Sequence, residues 1–263
     1  MENIDKYLEV AKSAAVRAGR YLLKGLSRKK IIDFKGQVDL VTPYDRESEE
    51  MIFEDLSKAF PDHGFLAEED ISKPSQSDYC WIVDPLDGTT NFAHGLPIFC
   101  LSIALVSGQE ILIGVVYDPT RQEMFTAQKG RGATLNDRLI RVSETEELDK
   151  SLLATGFPYD VRTSPDNNLN HFSNFAVRAQ AIRRCGSAAL DLCYVAGGRF
   201  DGFWEMKLKP WDLAAGALMV KEAGGQTTNF RGQPFTLSSP DIVATNGRIH
   251  QAMLDIINLG LVK

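Results

Sequence analysis

The chain has 263 residues and 44% hydrophobic content, enough to bury a sizeable core as one large domain or as two closely joined lobes. A net charge of −6 without a basic stripe makes nucleic acid a poor first partner, and the RKK at 28–30 is too short to change that. Cys80, Cys100, Cys185 and Cys193 show no C-x-x-C pairing and no companion histidine cluster, which argues against a structural zinc site and fits reduced thiols in a cytoplasm.

In chain order, Ile4, Leu8, Ala11, Ala15, Ala18 and Leu22 recur at helical spacing and predict an amphipathic helix over about 3–25, with no signal-peptide core. A second helix is predicted over 46–59, where Met51, Ile52, Leu56 and Phe60 stand on a charged background. Between them KGQVDLVTPYD has a strand-like VDLV centre behind a Gly- and Lys-containing stretch that reads as a mobile loop. Strands follow at 80–84, 99–106, 111–117 and 123–127, parted by turn-rich segments, and LLATGF at 152–157 extends the pattern. HFSNFAVRAQAIRR and SAALDLCYVAGG read as helices, FDGFWEM as a strand, and PWDLAAGALMVKEAGG as a helix with Pro210 just before it, Asp212 at its first turn and Gly224 and Gly225 ending it. A meander of strands followed by helices predicts an α+β or layered α/β arrangement. The longest uncharged run, Gly95 to Gly108, is fourteen residues interrupted by Pro97, too short to span a bilayer.

One spacing is a decoy. Cys193 to Arg199 has the C-x5-R pattern of cysteine-dependent phosphatases, but Leu192 stands where a histidine would precede the nucleophile, and LDLCYVAGG is an apolar pattern that suits a buried, inert thiol.

The informative stretch is WIVDPLDGTTNF, residues 81–92. Pro85 turns the chain after the apolar WIV, so Asp87 returns beside Asp84 with the Leu86 carbonyl between them. Gly88 and Thr89 then open a helix, as do Gly186 and Ser187 further on. Such helix starts offer unpaired N–H groups to an anion. Clustered acids would repel a phosphate unless cations intervened, and hard oxygen ligands of this kind suit Mg²⁺. Asp212 could be a plain N-cap, and Glu68 and Glu69 a solvated pair; so could Asp39 and Asp45 be unremarkable surface acids.

Taken together, these blocks resemble the inositol monophosphatase family. Its two signatures stand as WIVDPLDGTTNF at 81–92 and KPWDLAAGALMVKEAGG at 209–225. DLVTPYD at 39–45, AEED at 67–70, GSAALDLCYVAGGRFDGFWE at 186–205 and NG at 246–247 support them in family order. A haloacid dehalogenase-type phosphatase spaces its acids D-x-D near the chain start, whereas here they stand three apart at residue 84.

The resemblance implies a layered αβαβα sandwich, as one catalytic domain over 1–263 with lobes at about 1–148 and 149–263, and a cytoplasmic, lithium-sensitive homodimer without membrane contact. It implies that Glu68, Asp84 and the Leu86 carbonyl hold one Mg²⁺, that Asp84, Asp87 and Asp212 hold a second, and that a third, weaker ion lies near Glu68. Thr89 and Asp45 would orient the attacking water, joined by Glu68, in an in-line displacement without a phosphoenzyme. Gly88, Thr89, Gly186, Ser187, Ala188, Asp191, Glu205 and Asp212 would line the substrate side. The implied substrate is inositol 1-phosphate or a similar compact polyol phosphate, since TTNF favours that branch over phosphoadenosine phosphatases. Fructose 1,6-bisphosphate remains the alternative, with Lys207, Lys209, Arg183 or Arg184 available for a second phosphate. A regulatory module with a vestigial pocket would have lost a ligand, and Glu68, Asp84, Asp87, Thr89 and Asp212 are all present.

Overall fold

The computed structural model describes residues 4–28, 33–34 and 40–259. In its first half the elements are α1 (Ile4–Leu26), β1 (Asp33–Phe34), β2 (Leu40–Val41), α2 (Pro43–Ala59), β3 (Gly64–Ala67), β4 (Ser72–Lys73), β5 (Tyr79–Asp87), α3 (Thr89–Ala93), β6 (Cys100–Ser107), β7 (Glu110–Asp118), β8 (Glu123–Gln128), β9 (Gly132–Leu135) and β10 (Arg138–Leu139). The second half adds β11 (Leu152–Thr155), α4 (Leu169–Ala176), β12 (Ala181–Arg183), α5 (Ala188–Ala196), β13 (Gly202–Met206), α6 (Pro210–Glu222), β14 (Gln226–Thr228), β15 (Asp241–Thr245) and α7 (His250–Ile257).

An eight-stranded sheet runs β10-β9-β8-β7-β6-β5-β3-β4, antiparallel except between β3 and β5. A five-stranded sheet runs β12-β11-β13-β15-β14, with β11 parallel to both its neighbours. Helices α1 and α2 cover one face of the larger sheet, α5 and α6 lie between the two sheets, and α4 and α7 cover the far face of the smaller one. The result is the αβαβα sandwich.

Residue size decides the two helical layers. The inner side of α1 is Ala11, Ala14, Ala15, Ala18 and Leu22, a small-residue stripe that lets it lie close on the sheet. Helix α6 is buried from Leu213 to Val220, as a helix between two sheets must be, so it is apolar all round rather than striped. Gly114 on β7 admits its backbone: a Cβ there would meet the Ala215 carbonyl oxygen at 2.8 Å.

Three local readings change. HFSNFAVRAQAIRR is not one helix, because α4 stops at Ala176 and Ala181–Arg183 finds a parallel partner in β11, an edge pairing that helical periodicity cannot reveal. Pro85 does not end its strand: β5 continues to Asp87 through a register shift against β6 between Asp84 and Asp87, where the missing N–H is tolerated. Asp212 is not an N-cap but the third residue of the first turn of α6, behind Lys209 as cap. The loop expected ahead of VDLV, together with Asp39, lies outside the described residues.

Candidate active site

The register shift in β5 is where the chemistry collects. Asp84 is almost fully buried, and its Oδ1 accepts the Leu86 N–H at 2.9 Å. Asp87 Oδ2 accepts the Ser187 hydroxyl at 2.7 Å and the Ala189 N–H at 2.8 Å, so one acid side chain joins the end of β5 to the start of α5. Gly88 has φ +100°, and a Cβ there would crowd the Ile98 carbonyl at 3.0 Å and the Gly186 carbonyl at 3.3 Å. Asn91 closes the junction, donating through Nδ2 to the Ile98 and Cys185 carbonyls, both at 2.8 Å. The starts of α3 and α5 are thereby held side by side.

Thr89 Oγ1 stands 2.8 Å from Asp45 Oδ1 and 3.0 Å from the Leu86 carbonyl oxygen. Asp45 is held in turn: its Oδ2 accepts the Thr42 N–H at 2.7 Å and the Thr42 hydroxyl at 2.6 Å, the capping box that starts α2. One turn further along α2, buried Glu49 accepts the backbone N–H groups of Glu69 (2.8 Å), Asp70 (2.9 Å) and Ile71 (2.6 Å). That acid fixes the turn that carries Glu68. Asp212 Oδ2 accepts the Lys209 N–H at 2.7 Å.

Glu68, Asp84, Leu86, Asp87, Gly88, Thr89, Gly186, Ser187, Ala188, Asp191, Glu205 and Asp212 all line one cavity of about 440 Å³. Asp45 stands behind it, reaching it through Thr89. Glu69 contributes its backbone to the Glu49 turn and is not part of the lining. Of the basic residues offered for a second phosphate, Arg184, Lys207 and Lys209 line the cavity and Arg183 does not. Lys207 Nζ is engaged by Asp160 at 2.8 Å and Ser164 at 3.0 Å.

The electrostatics of the acid wall are those of charges out of water beside one another. Burial, then Glu68, Asp87 and Asp212, push the Asp84 carboxyl well above the usual carboxylate range. Burial and Asp87 push Asp212 up in the same way, against the Lys209 N–H. For Asp87 burial raises the pKa, and the bonds from Ser187 and Ala189 oppose it. Further in, burial and then Asp191 bring Glu205 up to about 8, with Arg184 opposing. Asp191 is itself raised by burial, and its Oδ1 has no hydrogen-bond partner.

Among the described residues no group of three or more His, Cys, Asp or Glu side chains is closed up around a metal position. The donor set, four carboxyls and a carbonyl on one cavity, is the oxygen-only chemistry that suits a hard divalent cation. The residues fit such an ion.

A sequence model of the inositol monophosphatase family matches residues 3–258. The chain belongs to the inositol monophosphatase family. Its members are phosphatases that use metal ions, generally Mg²⁺. The chain is 47% identical to an inositol-1-monophosphatase of Synechocystis over 95% of its own length and 88% of that protein's. It is 43% identical to a fructose-1,6-bisphosphatase/inositol-1-monophosphatase of Aquifex aeolicus, over 97% of each chain. The crystal structure of the extragenic suppressor protein suhB of Bartonella henselae superposes with a TM-score of 0.93 at 43% identity, covering 97% of this chain and all of that one. The layered sandwich is thus a family property as well as an observed one.

Sequence reasoning missed Glu49, Asn91 and the Gly156–Asp160 segment of the cavity lining. Glu49 carries a weak signal, an acid one helical turn after Asp45 on the same face. For Gly156 the sequence offers none. The Cys193 thiol is fully buried in α5, as its apolar pattern implied, and all four cysteines are unpaired. No described helix is long and apolar enough to cross a membrane.

Proposed function

We propose that this chain is a Mg²⁺-dependent phosphomonoesterase that hydrolyses inositol 1-phosphate or a similarly compact polyol phosphate. The observation that carries the reading is a single cavity with Glu68, Asp84, Asp87 and Asp212 on its wall and Glu205 and Asp191 further along the same lining. Glu68, Asp84, the Leu86 carbonyl, Asp87 and Asp212 would hold two ions, and a third, weaker one would bind near Glu68. Such ions supply positive charge to phosphate oxygens and lower the pKa of a bound water.

The rest follows from the chain's own groups. The Thr89 hydroxyl, 2.8 Å from Asp45, can accept a proton from the attacking water and pass its own to Asp45 Oδ1. Asp45 is prepared for this by burial, which raises its carboxyl against the hydrogen bonds from Thr42 and Thr89. Gly88, Thr89, Gly186, Ser187 and Ala188 border the place of the phosphate. Glu205, with Asp191 on the same lining, faces the hydroxyl groups of the polyol; with its carboxyl raised to about 8, Glu205 is largely uncharged at neutral pH, so such a bond contributes about 0.5–1.5 kcal/mol. This reading takes the chain as one catalytic domain with lobes at about 1–148 and 149–263, homodimeric and cytoplasmic.

Phosphate release from inositol 1-phosphate, measured after chelation and again with Mg²⁺ restored, tests it, and activity indifferent to Mg²⁺ would refute it. Lithium, close to Mg²⁺ in size with half its charge, should inhibit against a KCl control. A second reading, fructose 1,6-bisphosphatase, is favoured by Arg184 and Lys209 on the lining and by the name of the Aquifex relative. It is the right one if kcat/KM for fructose 1,6-bisphosphate exceeds that for inositol 1-phosphate.

A further inference from the structure

Glu205 projects from β13 into the cavity, and beside its carboxyl, one residue past the end of β11, is a residue without a side chain. The two strands are parallel, with Ala154 beside Phe203 and Thr155 beside Trp204, so the next step along both places Gly156 beside Glu205. A Cβ built on Gly156 would fall inside the Glu205 carboxyl, whose three atoms are its nearest neighbours. The φ of Gly156 lies outside the left-handed region, so backbone conformation gives no reason for glycine there. Space for the carboxyl does.

A buried set of hydrogen bonds keeps that backbone in place. The Thr155 hydroxyl donates to the Trp204 carbonyl at 2.6 Å, tying β11 to β13 one residue before the pair. Asn168, buried and in the left-handed region at φ +69°, donates through Nδ2 to the Gly156 carbonyl at 2.6 Å and to Thr155 Oγ1 at 2.9 Å. Its Oδ1 accepts the Trp204 indole N–H at 2.8 Å. One amide thus spans the strand of Gly156 and the strand of Glu205.

We propose that Gly156, held by Asn168, is a specificity-determining position: its missing side chain makes the place in which the Glu205 carboxyl sits, and so fixes how that acceptor meets a polyol. The inference rests on the role given to Glu205 above. A Cβ at 156 meets the end of a flexible side chain rather than backbone, so the fold survives the substitution while the carboxyl moves.

The test uses four proteins: wild type, Gly156→Ala, Glu205→Asp and the double variant. The first readout is the ratio of kcat/KM for inositol 1-phosphate to that for 4-nitrophenyl phosphate, which has no hydroxyls for Glu205. Gly156→Ala should lower the ratio about tenfold, mainly through KM for inositol 1-phosphate. Glu205→Asp in that background should restore at least half the loss, because the shorter acid clears the new methyl group. A ratio unmoved by Gly156→Ala overturns the proposal, and so does a loss that Glu205→Asp leaves unrepaired. The second readout is the thermal midpoint, expected to fall in Gly156→Ala and to recover in the double variant. Wild type inactive on inositol 1-phosphate would overturn the functional reading instead; the thermal cycle then decides alone, and additive midpoints would refute the Gly156–Glu205 contact.

Discussion

The two walls of the cavity are built in different ways. The wall from the larger sheet is contiguous: Asp84, Leu86, Asp87, Gly88 and Thr89 lie within six residues, and a register shift turns them to one side. The wall from the smaller sheet is assembled across the chain. Gly156, Asn168 and Glu205 are far apart in sequence and meet only because β11 and β13 pair and one amide bridges them. The first wall concentrates charge, whereas the second fixes one acceptor through its neighbours. A contiguous site can be lost by one substitution. A distributed one is lost by degrees.

The largest effect is expected from breaking the acid wall. Asp87→Asn or Asp212→Asn should lower kcat/KM at saturating Mg²⁺ by at least about a hundredfold, because each acid is proposed to hold the same Mg²⁺ and a neutral amide neither ligates it as well nor balances its charge. The fold should persist: an amide oxygen at 87 still accepts from Ser187 and Ala189. Steady-state kinetics beside circular dichroism checks both, and near wild-type rates in either variant would show that the charge of this wall is not what catalysis uses.

The second wall should fail through stability. Asn168→Gly keeps the left-handed backbone and deprives the Trp204 N–H of its acceptor and the Gly156 carbonyl of its donor. An unsatisfied buried group costs about 1–3 kcal/mol, so urea unfolding should show a loss of about 2 kcal/mol overall. An unchanged midpoint would mean that β11 and β13 hold their spacing without Asn168.

What could be read in advance follows the same division. WIVDPLDGTTNF shows two acids and a helix start in one glance, because everything it builds is local. The strand meander and α6 were likewise legible from periodicity and from Pro210 and Gly224. Edge pairing was not: β12 hides inside a helical pattern, since a three-residue strand owes its conformation to β11 rather than to its own residues. β14, β15 and α7 carried no distinctive local signal. Gly156 illustrates the limit, for a glycine chosen to admit another residue's carboxyl looks the same in sequence as a glycine in any loop.

Glu49 sharpens the comparison from behind the acid wall. Its carboxylate accepts three consecutive backbone N–H groups, and the turn it fixes presents Glu68. Glu49→Gln replaces one acceptor oxygen by an amide that faces donors. We expect the Mg²⁺ concentration for half activation to rise about tenfold, in line with other residues that orient ligands from behind. kcat at saturating Mg²⁺ should fall less. A drop in kcat alone, with Mg²⁺ dependence unmoved, would place Glu49 in folding rather than in positioning Glu68.

The smallest effect tests whether the smaller sheet can be weakened from its far side. His250 at the start of α7 bridges Thr228 of β14 and Thr245 of β15, each ring nitrogen 2.9 Å from a hydroxyl oxygen. Burial lowers its pKa from 6.5 to about 4, so it is neutral in the folded protein at pH 5 while an unfolded chain would bind a proton there. The unfolded state therefore gains protons first on acidification. Stability contributed by neutral His250 is complete above pH 6.5 and is lost as the pH falls towards 4. Carboxyls held high, such as Glu205 at about 8, act with the opposite sign, so wild type alone would blur the two. Subtracting the pH profile of His250→Gln removes their shared part. The remaining difference in unfolding free energy should shrink in favour of the variant by on the order of 1 kcal/mol between pH 7 and pH 4.5, allowing for screening. Parallel profiles would mean that His250 accepts its proton within the fold, with the two threonine hydroxyls turning to receive both N–H groups.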